Sequence, residues 1–195
     1  MMKIIPAKQE YASLIGRAVT MAIGDELTLQ LAGDAHAPAD VEALFTSLAR
    51  RDDTQYSYRN TLAAVDEATG EVMGLVVGYD GAGLVAMRRV FFAEAAEQIG
   101  MVVEGDPDSI PGETSDDEFY LDTLAVFPAF RGRGVARALI GAVRERAKET
   151  GKPVGLLVDK GNHRARALYE SVGFRQVGER EFAGELMDHM LIDDK

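Results

Sequence analysis

Residues 118–150 read EFYLDTLAVFPAFRGRGVARALIGAVRERAKET. The stretch divides into a strand, a tight glycine-bearing loop and a long amphipathic helix. Phe119, Tyr120, Leu121, Thr123, Leu124, Val126 and Phe127 favour a strand. Pro128 has no N–H to give to a ladder and ends the pairing. From Val135 onward, Ala138, Leu139, Ala142, Val143 and Ala147 recur every three or four positions and form one buried helical face. Gly151 suits a C-terminal cap, and Pro153 blocks continuation. Between strand and helix lies Arg131-Gly132-Arg133-Gly134-Val135-Ala136. Its glycines allow a tight turn and the close approach of a ligand to the backbone. The first N–H groups of a helix have no internal partner, and the macrodipole adds roughly half a positive charge there. A phosphate is the natural occupant of such a place.

Upstream, Lys3 to Ile5 is a short first strand closed by Pro6. Ala7 to Ala32 is a helical segment with Tyr11, Leu14, Ile15, Ala18, Val19 and Ala22 on one stripe, and Asp40 to Arg51 is a second helix facing inward with Val41, Leu44, Phe45 and Leu48. Asn60 to Asp66 and Glu71 to Tyr79 form a hairpin across Glu67-Ala68-Thr69-Gly70. Residues 81–117 interrupt this pattern with a helix from about Leu84 to Ile99 and then a loop. From Glu104 to Glu118 that segment carries seven acids (Glu104, Asp106, Asp108, Glu113, Asp116, Asp117 and Glu118) and no Lys or Arg. Downstream, Val154 to Val158 is a short buried strand, Asn162 to Val172 a helix opening on an Asn cap, and Phe174 to Arg180 with Glu185 to Ile192 a final antiparallel pair. The expected architecture is one mixed α/β domain over residues 1–195, with an inserted helix and acidic loop at about 81–117.

Composition narrows the function. The 195 residues suffice for a sizeable core. There is no cysteine, which excludes disulfides, thiolate metal sites and a cysteine nucleophile. His36, His163 and His189 lack metal-motif spacing, so no metal is expected. The N-terminal MMKIIPAKQE has no apolar run of the kind an export signal needs, and no stretch is long and apolar enough for a membrane span. A net charge of −11 argues against general nucleic-acid binding. Against that background, ten basic residues and three acids between Arg131 and Arg166 mark a locally positive segment suited to phosphate groups. The alternative for each arginine is a solvated helix face. A dinucleotide-binding turn fits poorly, because Arg137 stands where Gly132-x-Gly134 would need a third small residue. A P-loop lacks its Gly-Lys-Ser/Thr.

Arg131-x-x-Gly134-x-Ala136 resembles the Gln/Arg-x-x-Gly-x-Gly/Ala loop of the GNAT N-acetyltransferases, and Asn162-x-x-Ala165-x-x-x-Tyr169-x-x-x-Gly173-Phe174 resembles that family's following segment. Together they cover the chain from the central strand onward. The upstream elements fit the family's order but carry no specific motif. The resemblance implies a GNAT-like α/β fold, a mixed and mostly antiparallel sheet with helices on both faces. It implies transfer of an acetyl group from acetyl-CoA, a cosubstrate, to a primary amine by a cytoplasmic enzyme. It places the CoA pyrophosphate on Arg131, Gly132, Arg133, Gly134, Val135 and Ala136, and pantetheine along Leu124, Ala125 and Val126, with Asn162 and Tyr169 beside pantetheine and the thiol. Tyr169 is then the general acid. A phenol near pKa 10 donating to a thiolate near 8.5 is uphill by about 2 kcal/mol. The alternative for Tyr169 is core packing.

The acceptor also needs a base, because an alkylammonium near pKa 10.4 costs about 4.6 kcal/mol to deprotonate at pH 7. Asp122 and Tyr120 share parity with Leu124 and Val126 and are expected on the same face, so Asp122, Tyr120 or a water is the candidate base, or Asp122 only holds a neighbouring loop. The acidic run favours a small cationic amine substrate if it lines the acceptor cleft, and is a solvated loop if it does not. A catalytically silent acyl-CoA sensor and a protein or peptide N-acetyltransferase are the other readings. Neither nucleic acid nor membrane is implied as a partner, and the reading leaves room for a homodimer.

Overall fold

The computed structural model describes residues 1–193; the last two residues of the chain lie outside the described residues. The elements follow in the order β1 (Met2–Pro6), α1 (Ala12–Ala32), α2 (Pro38–Arg50), β2 (Thr61–Asp66), β3 (Val72–Asp80), α3 (Leu84–Ile99), β4 (Phe119–Val126), α4 (Val135–Lys148), β5 (Val154–Val158), α5 (His163–Ser171), β6 (Arg175–Phe182) and β7 (Glu185–Ile192). One sheet takes all seven strands in the order β1-β2-β3-β4-β5-β7-β6. Every neighbouring pair is antiparallel except β4 and β5. Among the described residues no helix is long and apolar enough to cross a membrane.

Helices cover both faces. On one, Ile15, Ala18 and Val19 of α1 and Val41, Leu44, Phe45 and Leu48 of α2 bury against Ala63, Leu75, Val77 and Tyr120 of the sheet, with Phe91, Ala95 and Ile99 of α3 completing the layer. On the other, Val135, Leu139, Ile140 and Val143 of α4 and Tyr169 of α5 pack on Val76, Leu121, Val154, Leu156 and Met190. The α4 stripe follows the three-and-four spacing of the sequence. The first helix is less regular. It begins at Ala12 after a 3₁₀ turn over Gln9–Tyr11, and Gly24 (φ 81°, ψ 171°) breaks it into two segments. That backbone conformation lies outside what other residues adopt readily.

Two features of β4 position the site. The first is its pairing with β5, which is confined to Phe119↔Val154 and Tyr120↔Gly155. Beyond these, β5 continues along β7 while β4 continues along β3, so the two parallel strands part. The second is a bulge. Val77 opposes Thr123 and Gly78 opposes Leu121, which leaves Asp122 as the extra residue. The parity expectation therefore fails. Tyr120 lies in the α1/α2 core and Asp122 beside Tyr79 of that layer, whereas Leu124 and Val126 belong to the α4 side. One inserted residue shifts the alternation by one, and the side chains after it change face.

Candidate active site

The parting of β4 and β5 opens a cleft of about 530 Å³. Its walls include Leu124, Ala125 and Val126 of β4, Arg131, Gly132, Gly134, Val135 and Ala136 of the loop, and Asn162 and Tyr169 at the start and end of α5. Motif residues far apart in sequence are thus brought into one groove. Ala165 of the second motif also lines it, as do Met21 of α1, Phe130, Arg137, Arg164 and Leu168, which were not singled out as site residues from sequence; Arg137 and Arg164 belong to the basic segment but to no motif. Arg133 is absent from the wall, and its guanidinium lies 5.5 Å from the centre of the Phe130 ring.

Backbone geometry explains what the groove offers. The Phe127 N–H donates to the Met73 carbonyl on β3. By alternation Ala125 also faces β3, and the N–H and C=O groups of Leu124 and Val126 face the gap left by β5. Arg131 Nε donates to the Val126 carbonyl at 3.2 Å and ties loop to strand. Gly132 (φ 76°) and Gly134 (φ 79°) both occupy the left-handed region and line the groove, and a Cβ at either would meet nothing within 4 Å. Helix α4 has no side-chain cap, so the N–H groups at its start remain available. The cleft is therefore a strand-like edge leading to a cradle of N–H groups, which fits an amide-bearing arm ending in phosphates.

The basic segment is less uniform than its composition suggests. Lys148 pairs with Glu145, Lys160 with Glu179, Lys152 with Asp80, and Arg166 with Glu170 and Asp188. Arg146 donates to the Arg59 carbonyl. Arg137 and Arg164 line the groove without an ion-pair partner among the described residues.

Tyr169 is buried at the inner end of the groove, its ring edge-on to Phe174 at 5.7 Å. Burial pushes its phenol up to about 12. Asn162 Oδ1 accepts from the Ala165 N–H at 3.1 Å and caps α5, which leaves the side-chain amide of Asn162 for the groove.

Asp122 and Tyr120 do not line this groove; they lie behind it, on the α1/α2 side. Asp122 Oδ2 accepts from the Tyr79 hydroxyl at 2.8 Å and Oδ1 from the Thr123 hydroxyl at 2.8 Å. Burial first, and then the negative charge of Glu113, push the Asp122 carboxyl up to about 7 despite both hydrogen bonds. The Tyr120 hydroxyl is raised mainly by burial and feels Glu113, Asp122 and Tyr169. Tyr120 lies at the last β4–β5 pair, opposite Gly155, just before the strands part.

The acidic segment is not the uncompensated run its sequence suggested. Asp108 is paired with Arg89 of α3, and the carbonyl of Asp116 accepts from Lys152. Glu118 is buried and bonded to Arg180 at 3.1 Å and His189 at 3.2 Å from the β6–β7 hairpin. Asp116 and Asp117 are exposed, and Glu113 is buried beside Tyr79. Sequence gave Glu113 no mark distinguishing it from its acidic neighbours.

A sequence model described as the Acetyltransferase (GNAT) family matches residues 31–174. The N-alpha-acetyltransferase RimI of Mycobacterium tuberculosis is 42% identical over 69 residues, 35% of this chain and 42% of that protein. An uncharacterized protein of Mycobacterium leprae is 44% identical over 69 residues, 35% of this chain and 19% of its own length. The chain thus spans less than half the length of these curated relatives. Among solved structures, an N-acetyltransferase from Staphylococcus aureus Mu50 superposes with a TM-score of 0.81 at 25% identity, over 97% of this chain and 100% of that one. Another acetyltransferase structure gives 0.76 at 30% identity, over 99% and 100%.

Proposed function

The chain belongs to the Acetyltransferase (GNAT) family, and from that premise we propose that it moves the acetyl group of acetyl-CoA to a small, positively charged primary amine. The parted β4 and β5 carry this reading. They leave the backbone of Leu124 and Val126 without a strand partner on the β5 side, along a groove that ends on the Arg131–Ala136 loop and runs past Tyr169. Pantetheine would complete the sheet edge there, and the pyrophosphate would take the loop and helix N–H groups with Arg137 and Arg164 beside them.

In the reaction, Asp122 accepts a proton from the ammonium, and the free amine attacks the thioester carbonyl. The C–N bond forms, the C–S bond breaks, the electron pair leaves with sulfur, and the second proton shed by the nitrogen ends on the departing thiolate. Tyr169 donates a hydrogen bond to that sulfur. With its phenol near 12, full transfer to a thiolate near 8.5 is uphill by about 5 kcal/mol, so the hydrogen bond rather than the proton is its contribution.

A second reading, the α-amine of a peptide, is favoured by the RimI relative and by proton arithmetic. A carboxylate near 7 takes a proton from an α-ammonium near 8 at a cost of about 1.4 kcal/mol, against about 4.6 kcal/mol from an alkylammonium. A thiol-release assay with acetyl-CoA against polyamines, aminoglycosides, amino acids and N-terminal peptides tests both. Turnover with small cationic amines is expected. Turnover with peptides alone replaces that acceptor with an N-terminus. CoA binding without thiol release from any amine makes the protein an acyl-CoA sensor.

A further inference from the structure

Glu113 comes from the loop that follows α3, far from the motifs, yet it ends beside the candidate base. Tyr79 Oη is 2.8 Å from Asp122 Oδ2 and 3.4 Å from Glu113 Oε1. One phenolic proton cannot serve two carboxylates at once, and the shorter distance assigns it to Asp122. Glu113 is 6% exposed and faces that pair; burial raises its carboxyl, and a backbone hydrogen bond and then the charge of Arg88 offset this in part. Arg88 is itself buried on α3. Its guanidinium donates to the carbonyls of Ile110 at 2.6 Å, Pro111 at 3.1 Å and Pro107 at 3.4 Å, which pins the loop that delivers Glu113. A loop held by its backbone from a buried arginine places its next side chain reproducibly.

The surroundings complete the argument. Asp122 meets Tyr79 from β3, Tyr120 and Thr123 from β4, Tyr56 from the segment before β2, and Glu113 from the insert with Arg88 behind it. On α1, Arg17 is engaged 5.7 Å from the Phe127 ring centre. Tyr120 is buried, its hydroxyl has no hydrogen-bond partner among the described residues, and that hydroxyl feels the carboxylates and Tyr169 together.

We infer that Glu113 is a positioning residue that shares one proton with Asp122 across the Tyr79 hydroxyl, so that the group receiving the acceptor's proton is a two-carboxyl unit, half of it supplied by the insert. Like charges this close do not both ionise freely, and the pair titrates as one unit. Holding one proton, the unit carries a single negative charge, matched to a single ammonium group. This rests on the reading of Asp122 as base.

The test is a carboxyl-carbon NMR titration of the whole protein, labelled at Asp and Glu, from pH 4 to 9, with Asp122→Asn to assign the signal. The Asp122 resonance should carry two inflections, one following Glu113. In Glu113→Gln its midpoint should fall by about one to two pH units, and the acidic limb of thiol release should fall with it. Glu113→Asp should restore both. An Asp122 midpoint unchanged in Glu113→Gln overturns the inference. Should that variant fail to fold, a single independent inflection for each carboxyl in the parent overturns it equally. The titration needs no acceptor. The reading of Asp122 as base fails separately, if Asp122→Asn keeps the parent's pH dependence of thiol release.

Discussion

At the scale of single residues, a glycine, a tyrosine and an aspartate bear on separate properties. Gly134 occupies the left-handed region and lines the groove. In Gly134→Val, strain and obstruction combine, and CoA affinity measured by calorimetry should fall at least about tenfold, the equivalent of about 1.4 kcal/mol. Unchanged affinity would move the pyrophosphate elsewhere. Tyr169→Phe keeps the ring against Phe174 and removes the hydroxyl. Turnover should drop about tenfold to a hundredfold with CoA affinity nearly constant. A rate within a factor of two of the parent would make Tyr169 a packing residue. Asp122 carries a different consequence. Its carboxyl titrates near 7 when folded, against 3.8 for the free side chain. The raised value means that folding favours the protonated form. The stability this gives is complete below about pH 4 and is lost as pH rises through 7. Asp122→Asn, neutral throughout, should therefore be more stable than the parent at pH 8 by roughly 2–4 kcal/mol and indistinguishable from it near pH 4. Denaturant melts at the two pH values measure this. Equal stabilities at pH 8 would show an ionised Asp122 at no cost.

At the scale of elements, the helices and the final hairpin were legible because each repeats a short-range signal. The α4 stripe from Val135 to Ala147 and the Asn162 cap of α5 are local patterns that tertiary packing did not override. The bulge at Asp122 was not legible. Its cause lies in the register between Val77 and Thr123, a relation across strands that no spacing within β4 records. The break at Gly24 was concealed in the same way, since a lone glycine in a helical pattern is usually tolerated. The acidic loop shows the limit most clearly. Its acids look alike in sequence, yet packing buries Glu113 and Glu118 and leaves Asp116 and Asp117 at the surface. These roles predict different outcomes. Replacing Asp116 and Asp117 together with Asn should raise the Michaelis constant for a cationic amine by only about two- to threefold and leave that for acetyl-CoA alone, because exposed charges act through a screened field. Added salt should reproduce the effect. A neutral or anionic preferred acceptor, with rates indifferent to salt, would remove the rim from substrate selection.

At the scale of the whole molecule, a single sheet joins two groups of elements through an unequal set of contacts. Strands β1 to β4 form a continuous antiparallel run, as do β5, β7 and β6, and between the runs stand two residue pairs. Glu118 reinforces that meeting point by binding Arg180 and His189 across it, and Gly155 makes room, since a Cβ there would stand 2.3 Å from Glu118 Oε2. Mechanically, the sheet has a seam. A thioester arm seated along Leu124 and Val126 would stitch that seam, lending the molecule a strand that its own chain does not provide. Deuterium uptake should then slow on CoA binding not only in β4 and β5 at the seam but in β7, which pairs with β5 beyond it. The cosubstrate would act as a temporary structural member whose departure after each turnover loosens the sheet for the next exchange.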